Sequence, residues 1–269
     1  MSGHAPRTIW LIGCGNMAGA MLRRWVESGT IDPAGVTVID PGTPQVPAGV
    51  RRETRLPDEG MPDAVMLGVK PQMLDDIAAT LAPRIKGVKL LLSILAGVET
   101  ASLGKRFDAG AIVRVMPNLP VALGHGAVGL YGAAPDSAAG EAASGLMAPL
   151  GLVEWVDDEA LFDAVTALSG SGPGFVYRFI DALADAGEAI GLPADQALRL
   201  ATATVEGAAM MAAGADETPA TLADRVASPG GSTREGLSVL DADDALRRLL
   251  TRTLIAARDR NVELAAAAR

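Results

Sequence analysis

Two glycine-bearing turns and a few polar residues between them have the types and spacing to do chemistry. Gly13, Gly15 and Ala18 stand as G-x-G-x-x-A in Ile9-Trp10-Leu11-Ile12-Gly13-Cys14-Gly15-Asn16-Met17-Ala18-Gly19-Ala20. An apolar run precedes the turn and a helix-forming run follows it. In that setting the first glycine makes the bend and the second lets the backbone close on a pyrophosphate. The small third residue lets the helix sit against the strand with its N-terminus toward the anion. The segment therefore predicts a dinucleotide site contacted by Gly13, Gly15, Asn16, Met17 and Ala18.

About twenty residues further on, Val36-Thr37-Val38-Ile39 ends in Asp40, where a carboxylate accepts hydrogen bonds from the adenosine ribose hydroxyls and favours NADH over NADPH. The same residue also suits the opening of a turn at Asp40-Pro41-Gly42, and Arg51 or Arg52 is near enough in the chain to meet a 2′-phosphate.

Three further segments put polar groups where strands end or helices begin. Val69-Lys70-Pro71-Gln72 closes an apolar run, so Val69, Lys70 and Pro71 are candidates for cofactor contact at the carboxyl edge of a sheet. A solvated lysine before a proline-started helix explains the same residues. Arg114-Val115-Met116-Pro117-Asn118-Leu119-Pro120 brings Asn118 to a similar edge between two prolines, as a candidate polar clamp. Ser228-Pro229-Gly230-Gly231-Ser232-Thr233-Arg234-Glu235 is a second glycine-rich turn feeding a helix. Ser232 and Glu235 have capping-box spacing, which needs no ligand, while the amides around Gly231 to Thr233 suit a carboxylate at a helix N-terminus. Ser169-Gly170-Ser171-Gly172-Pro173-Gly174 is a similarly permissive helix start.

The elements that must hold these groups follow from periodicity. Thr8 to Ile12, Val36 to Ile39, Ala64 to Val69, Leu90 to Leu95 and Ala111 to Val115 are short apolar runs separated by helical stretches. Runs apolar on both faces belong to a parallel sheet covered by helices, so residues 1–158 are expected to form a doubly wound dinucleotide-binding domain. The five prolines of residues 41–63 predict a loop-rich connection. From Asp157 the pattern turns helical, and residues 159–269 are expected to form an all-helical domain. Its helices are placed at 158–168 and 173–190, with apolar stripes at Leu198, Ala201, Thr202, Val205, Ala208, Ala209 and Ala212 and at Leu246, Leu249, Leu250, Thr253, Leu254 and Ala257. That much apolar helix surface predicts a homo-oligomer.

Composition removes several classes. The 32 acidic against 23 basic side chains give a net charge of −9 and no basic cluster, so nucleic acid is a poor partner. The single Cys14 forms no internal disulfide, and with only His4 and His125 beside it no zinc cluster is expected. Cys14 itself reads as a small filler rather than a nucleophile. No membrane span or export segment is expected, and a reducing cytoplasm fits best.

Together these segments give the chain a resemblance to the pyrroline-5-carboxylate reductases, over nearly its whole length. The resemblance rests on Gly13 to Ala18, Val69 to Gln72, Ser93-Ile94-Leu95-Ala96-Gly97, Met116-Pro117-Asn118, Leu168 to Pro173 and, most specifically, Ser228 to Thr233. It implies a Rossmann domain joined to a helical dimerisation domain that interlocks with a second subunit, and reduction of a cyclic imine to proline by NADPH or NADH. It also implies that Ser228, Gly230, Gly231, Ser232 and Thr233 contact the substrate, with the Thr233 hydroxyl on the ring nitrogen. Asn118, Lys70 and Pro71 would lie toward the nicotinamide.

The chain departs from the family pattern at Asp40-Pro41-Gly42, where many relatives carry Asn-Arg-Ser or Asn-Arg-Thr, and at Gly174 and Ala203. A β-hydroxyacid dehydrogenase has a similar layout but moves its proton with a lysine of the helical domain. Here Lys70, Lys86, Lys89 and Lys105 all precede that domain, and Arg178 is a poor proton shuttle. A related imine reductase would carry the same segments, and so would a dinucleotide-binding regulator that has kept the fold without catalysis.

Overall fold

The computed structural model describes residues 5–58 and 60–267; His4 and Ala268, the last residue of the alanine-rich tail, lie outside them. The first half alternates strand and helix. It runs through β1 (Ile9–Ile12), α1 (Asn16–Glu27), β2 (Val36–Ile39), β3 (Arg51–Glu53), β4 (Ala64–Leu67), α2 (Leu74–Leu81), β5 (Leu90–Ser93) and α3 (Thr100–Gly104). Then come β6 (Ile112–Pro117), β7 (Gly126–Tyr131), α4 (Ala138–Met147), β8 (Gly151–Trp155) and the short α5 (Phe162–Val165). The rest is helical: α6 (Gly172–Ala189), α7 (Ala194–Ala213), α8 (Pro219–Val226), α9 (Ser232–Asp241) and α10 (Ala245–Ala267).

The strands form one sheet in the order β3-β2-β1-β4-β5-β6-β7-β8. It is parallel as far as β6; β7 then runs antiparallel to β6, and β8 parallel to β7. Side chains alternate between two apolar layers, as the pleat requires. Ile9, Leu11, Val38 and Met66 pack with Met21, Leu22 and Trp25 of α1, while Trp10, Ile12, Val65 and Leu67 pack with Leu74, Ala78 and Leu81 of α2. The doubly wound sheet expected of the sequence is therefore present. Its order reverses at β1, which lies between β2 and β4, and in open parallel sheets that reversal leaves a crevice at the strands' carboxyl ends.

Three strands have no counterpart among the apolar runs of the sequence. β3 lies inside the expected loop of residues 41–63 and has no apolar alternation, because Arg51 and Arg52 are exposed at the sheet's edge. β7 carries Gly126 and Gly129, and an added Cβ at Gly129 would come 2.7 Å from Val165, so glycine there records close packing rather than a turn. β8 is the opposite edge strand, with Leu152 and Glu154 exposed. The helix expected at 158–168 is also more complex. One 3₁₀ turn (Glu159–Leu161) leads into α5 and then into a π-helical turn (Thr166–Gly170), where the Ser171 N–H bonds to the Thr166 carbonyl at 2.9 Å.

The described residues up to Ser171, with those from Ala257 onward, cluster as one compact unit, and Gly172–Ala256 as a second. Within the second, α6 and α7 approach through small residues: Ala184, Ala197 and Ala201 are buried, and a Cβ at Gly187 would meet that of Ala197 at 3.2 Å. Elsewhere in the α7 stripe Leu198, Thr202, Ala208 and Ala209 are exposed and Val205 and Ala212 half-buried in the single chain, and Tyr177, Phe179, Met210 and Met211 are exposed as well. No helix among the described residues is long and apolar enough to cross a membrane, and among them no group of His, Cys, Asp and Glu could hold a metal ion.

Candidate dinucleotide and substrate sites

The turn after β1 has the geometry its sequence demands. Gly13 adopts φ +83°, in the left-handed region, and donates to the Ile39 carbonyl at 2.9 Å. A Cβ on Gly13 would lie 2.6 Å from Val69 Cγ1. Gly15 caps α1, and space is open where its Cβ would stand, which is the condition for a pyrophosphate to approach the backbone. The first turn of α1 has no acidic residue, so nothing on that turn competes with an anion for its N–H groups. Ala18 is buried; a Cβ on Gly68 would come 3.0 Å from its Cβ, so the small side chain is what lets α1 lie close to the end of β4.

A groove of about 790 Å³ opens at this edge, lined among others by Gly13, Gly15, Asp40, Val69 and Lys70. These residues, far apart in the chain, are brought together as expected. Asn16 is exposed at the start of α1 and Met17 half-buried behind it, while Pro71 opens the 3₁₀ turn Pro71–Met73; none of the three lines the groove. The basic residues in the lining are Lys70, Arg55 and Arg84. No motif in the sequence singles out Arg55 or Arg84, because Arg55 follows the silent strand β3 and Arg84 sits in a proline-bearing turn after α2. Arg51 is paired with Glu53 at 2.8 Å and Arg52 reaches the Pro44 carbonyl at 3.3 Å; neither lines the groove.

Asp40 both opens a turn and faces the groove. One carboxylate oxygen accepts the Gly42 N–H at 2.8 Å, the other the Cys14 N–H at 2.8 Å, and its own N–H is held by the Glu53 carbonyl at 3.0 Å. Each oxygen keeps a lone pair for a further donor. Burial pushes the Cys14 thiol above its ordinary pKa, and Asp40 adds to the rise against a smaller opposing effect of Arg23.

Asn118 is buried at the end of β6, and both ends of its amide are engaged within the protein. Its oxygen accepts the Ala127 N–H at 2.9 Å, and its nitrogen donates to the Ser169 carbonyl at 3.0 Å. It stands outside the groove lining. Nearby in the same unit, buried Arg114 stacks 4.3 Å over Phe162 and donates to Glu159 at 2.9 Å, while Glu159 accepts both the N–H and the hydroxyl of Thr100.

In the second unit, Ser228 to Thr233 form one compact turn. Gly230 is left-handed at φ +72°, and the Gly231 N–H bonds to the Ser228 carbonyl at 3.0 Å. Of the two readings of this turn, the capping box does not form. Gly231, not Ser232, is the N-cap of α9, so Ser232 lies one residue too far in and no side chain caps the helix. The N–H groups of Ser232 and Thr233, at the first two positions of α9, are of the kind that no helix bonds internally. Both residues are exposed. The arrangement suits a small carboxylate with a hydroxyl beside it.

Residues 159–264 match the family model described as pyrroline-5-carboxylate reductase dimerisation, and residues 8–97 that described as NADP oxidoreductase, coenzyme F420-dependent. A curated pyrroline-5-carboxylate reductase of Pseudomonas aeruginosa is 40% identical over 269 residues, covering 97% of each chain. The solved structure of a pyrroline-5-carboxylate reductase from Coxiella burnetii superposes with a TM-score of 0.87 at 32% identity, covering 96% of this chain and 98% of that one. A Plasmodium falciparum pyrroline carboxylate reductase, solved with NADP bound, shares the fold at a TM-score of 0.79 and 24% identity, covering 96% and 98%.

Proposed function

The chain belongs to the pyrroline-5-carboxylate reductase family and reduces 1-pyrroline-5-carboxylate to L-proline with a nicotinamide cofactor, the last step of proline biosynthesis; from that premise we propose that NADH is its favoured donor. The observation that carries the cofactor preference is the Asp40 carboxylate, fixed in the groove wall by two backbone N–H groups. Its charge and remaining lone pairs suit ribose hydroxyls and repel a 2′-phosphate. When bound, the nicotinamide supplies the hydride.

The protein's own part is positioning. Gly13 and Gly15, with the N–H groups of Asn16 and Met17 at the start of α1, hold the pyrophosphate side, and buried Ala18 lets that helix sit close; Val69 and Lys70 hold the nicotinamide side, Pro71 opens the turn that follows them, and Asn118 braces the adjoining strand end. Ser228, Gly230, Gly231, Ser232 and Thr233 receive the substrate, with its carboxylate on the N–H groups at the start of α9. Thr233 is the catalytic residue: its hydroxyl orients the ring nitrogen and relays a proton from water, since a free-standing alcohol is too weak an acid to act alone. Support for this substrate over a hydroxy acid comes from the lysines, all of which precede residue 159, and from Arg178, which is paired with Asp181 at 2.7 Å.

On this reading residues 1–158 bind the dinucleotide, and residues 159–269 bind substrate and join an interlocked dimer that works in the cytoplasm. The open apolar side chains of α6 and α7 support the dimer, and a lone, buried cysteine is in keeping with a reducing compartment. Initial rates of NADH and NADPH oxidation with pyrroline-5-carboxylate test the whole proposal. NADH should give the higher kcat/KM, and Thr233→Ala should lower turnover with dinucleotide affinity unchanged. Cofactor binding without turnover of any imine would overturn the enzyme assignment, and equal loss of cofactor binding in Thr233→Ala would overturn the role given to Thr233.

A further inference from the structure

We propose that Arg234 is the positioning residue of the substrate turn, clamping Ser228 to Thr233 in the shape that receives a carboxylate; this rests on the reading of that turn as the carboxylate site. The turn cannot hold itself rigid. Two successive glycines carry more backbone freedom than any other pair, and Gly230 occupies a left-handed conformation. No side chain caps the helix that follows. What ties the segment down is the side chain immediately after it.

The Arg234 guanidinium reaches back across the turn. Nη1 donates to Asp224 Oδ1 at 2.9 Å on α8, and Nη2 donates to the carbonyl of Ala227 at 3.1 Å, directly before Ser228. The Arg234 backbone N–H donates to the Gly231 carbonyl at 3.1 Å. The chain from Ala227 to Arg234 is thus closed into a ring by one residue, bonded to its entry by side chain and to its middle by main chain. Ala227 is buried, so the entry end is fixed. Asp224 is exposed, and an ion pair of that kind contributes little by itself. The planar fork matters more: it serves two acceptors at once, which an ammonium on a flexible stem does poorly. Arg234 acts on substrate only through the amides of Ser232 and Thr233.

The test compares pyrroline-5-carboxylate with 1-pyrroline, the same ring without the carboxylate, using the full-length enzyme. Arg234→Leu should raise the KM for the carboxylated imine roughly tenfold, the scale of one charge-assisted hydrogen bond, impair 1-pyrroline, which the turn meets only through the Thr233 hydroxyl, clearly less, and leave dinucleotide affinity within about twofold. Arg234→Lys should recover part of the loss. Asp224→Ala keeps the positive charge and removes one anchor, so its KM should rise; a fall would mean that charge attraction, not clamping, is at work, and would overturn the proposal. So would equal losses with both imines, or no change in a folded Arg234→Leu. Gly231→Ala separates the two layers, because its Cβ would meet Ser228 Oγ at 2.6 Å and deform the turn directly. If Gly231→Ala preserves the preference for the carboxylated imine, the reading of the turn fails. If it abolishes that preference and Arg234→Leu does not, only the role of Arg234 fails.

Discussion

The amide nitrogen of Asn118 donates to the carbonyl of Ser169, a carbonyl whose helical partner four residues on would be Pro173, which has no N–H. A side chain from the sheet thus supplies the donor that the helix start lacks, and its oxygen simultaneously satisfies the Ala127 N–H. Asn118→Ala strands both part-buried groups and should cost about 2–4 kcal/mol, the lower part of the range for two groups at about 1–3 each, because water reaches them in part. Asn118→Asp keeps the acceptor but turns a carboxylate oxygen on the Ser169 carbonyl, and should be no more stable than the alanine variant. Urea denaturation of the three proteins checks both statements; a loss below about 0.5 kcal/mol, the range of neutral surface changes, would refute them.

Cofactor choice should turn on Asp40. Asp40→Ser removes the fixed charge while its hydroxyl can still accept a bond from the loop, and the ratio of kcat/KM for NADPH over NADH should rise by at least about tenfold, equivalent to about 1.4 kcal/mol of relieved repulsion. Because Arg51 and Arg52 are engaged elsewhere, Arg55 and Arg84 are the arginines of the groove lining left to meet the added phosphate. An unchanged ratio would remove Asp40 as the discriminator.

Gly13 and Gly15 should separate stability from binding. Gly13→Ala combines a left-handed φ with a 2.6 Å clash against Val69, and should lower the melting temperature as well as dinucleotide affinity. Gly15→Ala adds a methyl to open space on the ligand side, so its melting temperature should stay near that of the parent while the KM for NADH rises. Parallel behaviour of the two variants in a thermal melt and a cofactor titration would contradict this division.

Cys14 should be unreactive despite its place in the cofactor turn. Its thiol is buried, and burial is the larger cause of its raised pKa, ahead of Asp40. The thiolate is therefore scarce at neutral pH, and alkylation by iodoacetamide should be slow in the folded protein and fast after denaturation. Asp40→Asn should speed it only slightly, because the burial persists. Rapid stoichiometric labelling of the native enzyme would show that the turn opens on that timescale.

The chain announces its parallel core and its two glycine turns because each rests on a local pattern: strands apolar on both faces, and glycines where φ or close approach allows nothing else. β3, β7 and β8 are illegible for equally physical reasons. β3 is three charged residues at an edge, β7 uses glycine to admit Val165, and β8 carries little polar alternation in sequence. The capping box at Ser232 and Glu235 has the right spacing and the wrong register, since the helix begins one residue earlier than that motif requires. Arg55, Arg84 and Arg234 carry no motif. Only the folded chain shows what an arginine faces.

β3 is bonded to the rest of the sheet along one side only, and the loop that follows it, Thr54 to Leu56, supplies part of the groove lining. Its side chains are mostly solvated, so changing them disturbs no packed layer. On the proposed reading, Asp40 is tied to the glycine turn by the Cys14 N–H, whereas Arg55, the groove arginine just past β3, stands beside the part of the sheet where mutation is structurally cheapest. If Arg55 meets the phosphate of NADPH as proposed, a lineage can strengthen or weaken that contact by drift at this margin while the packed layers that fold the protein stay as they are.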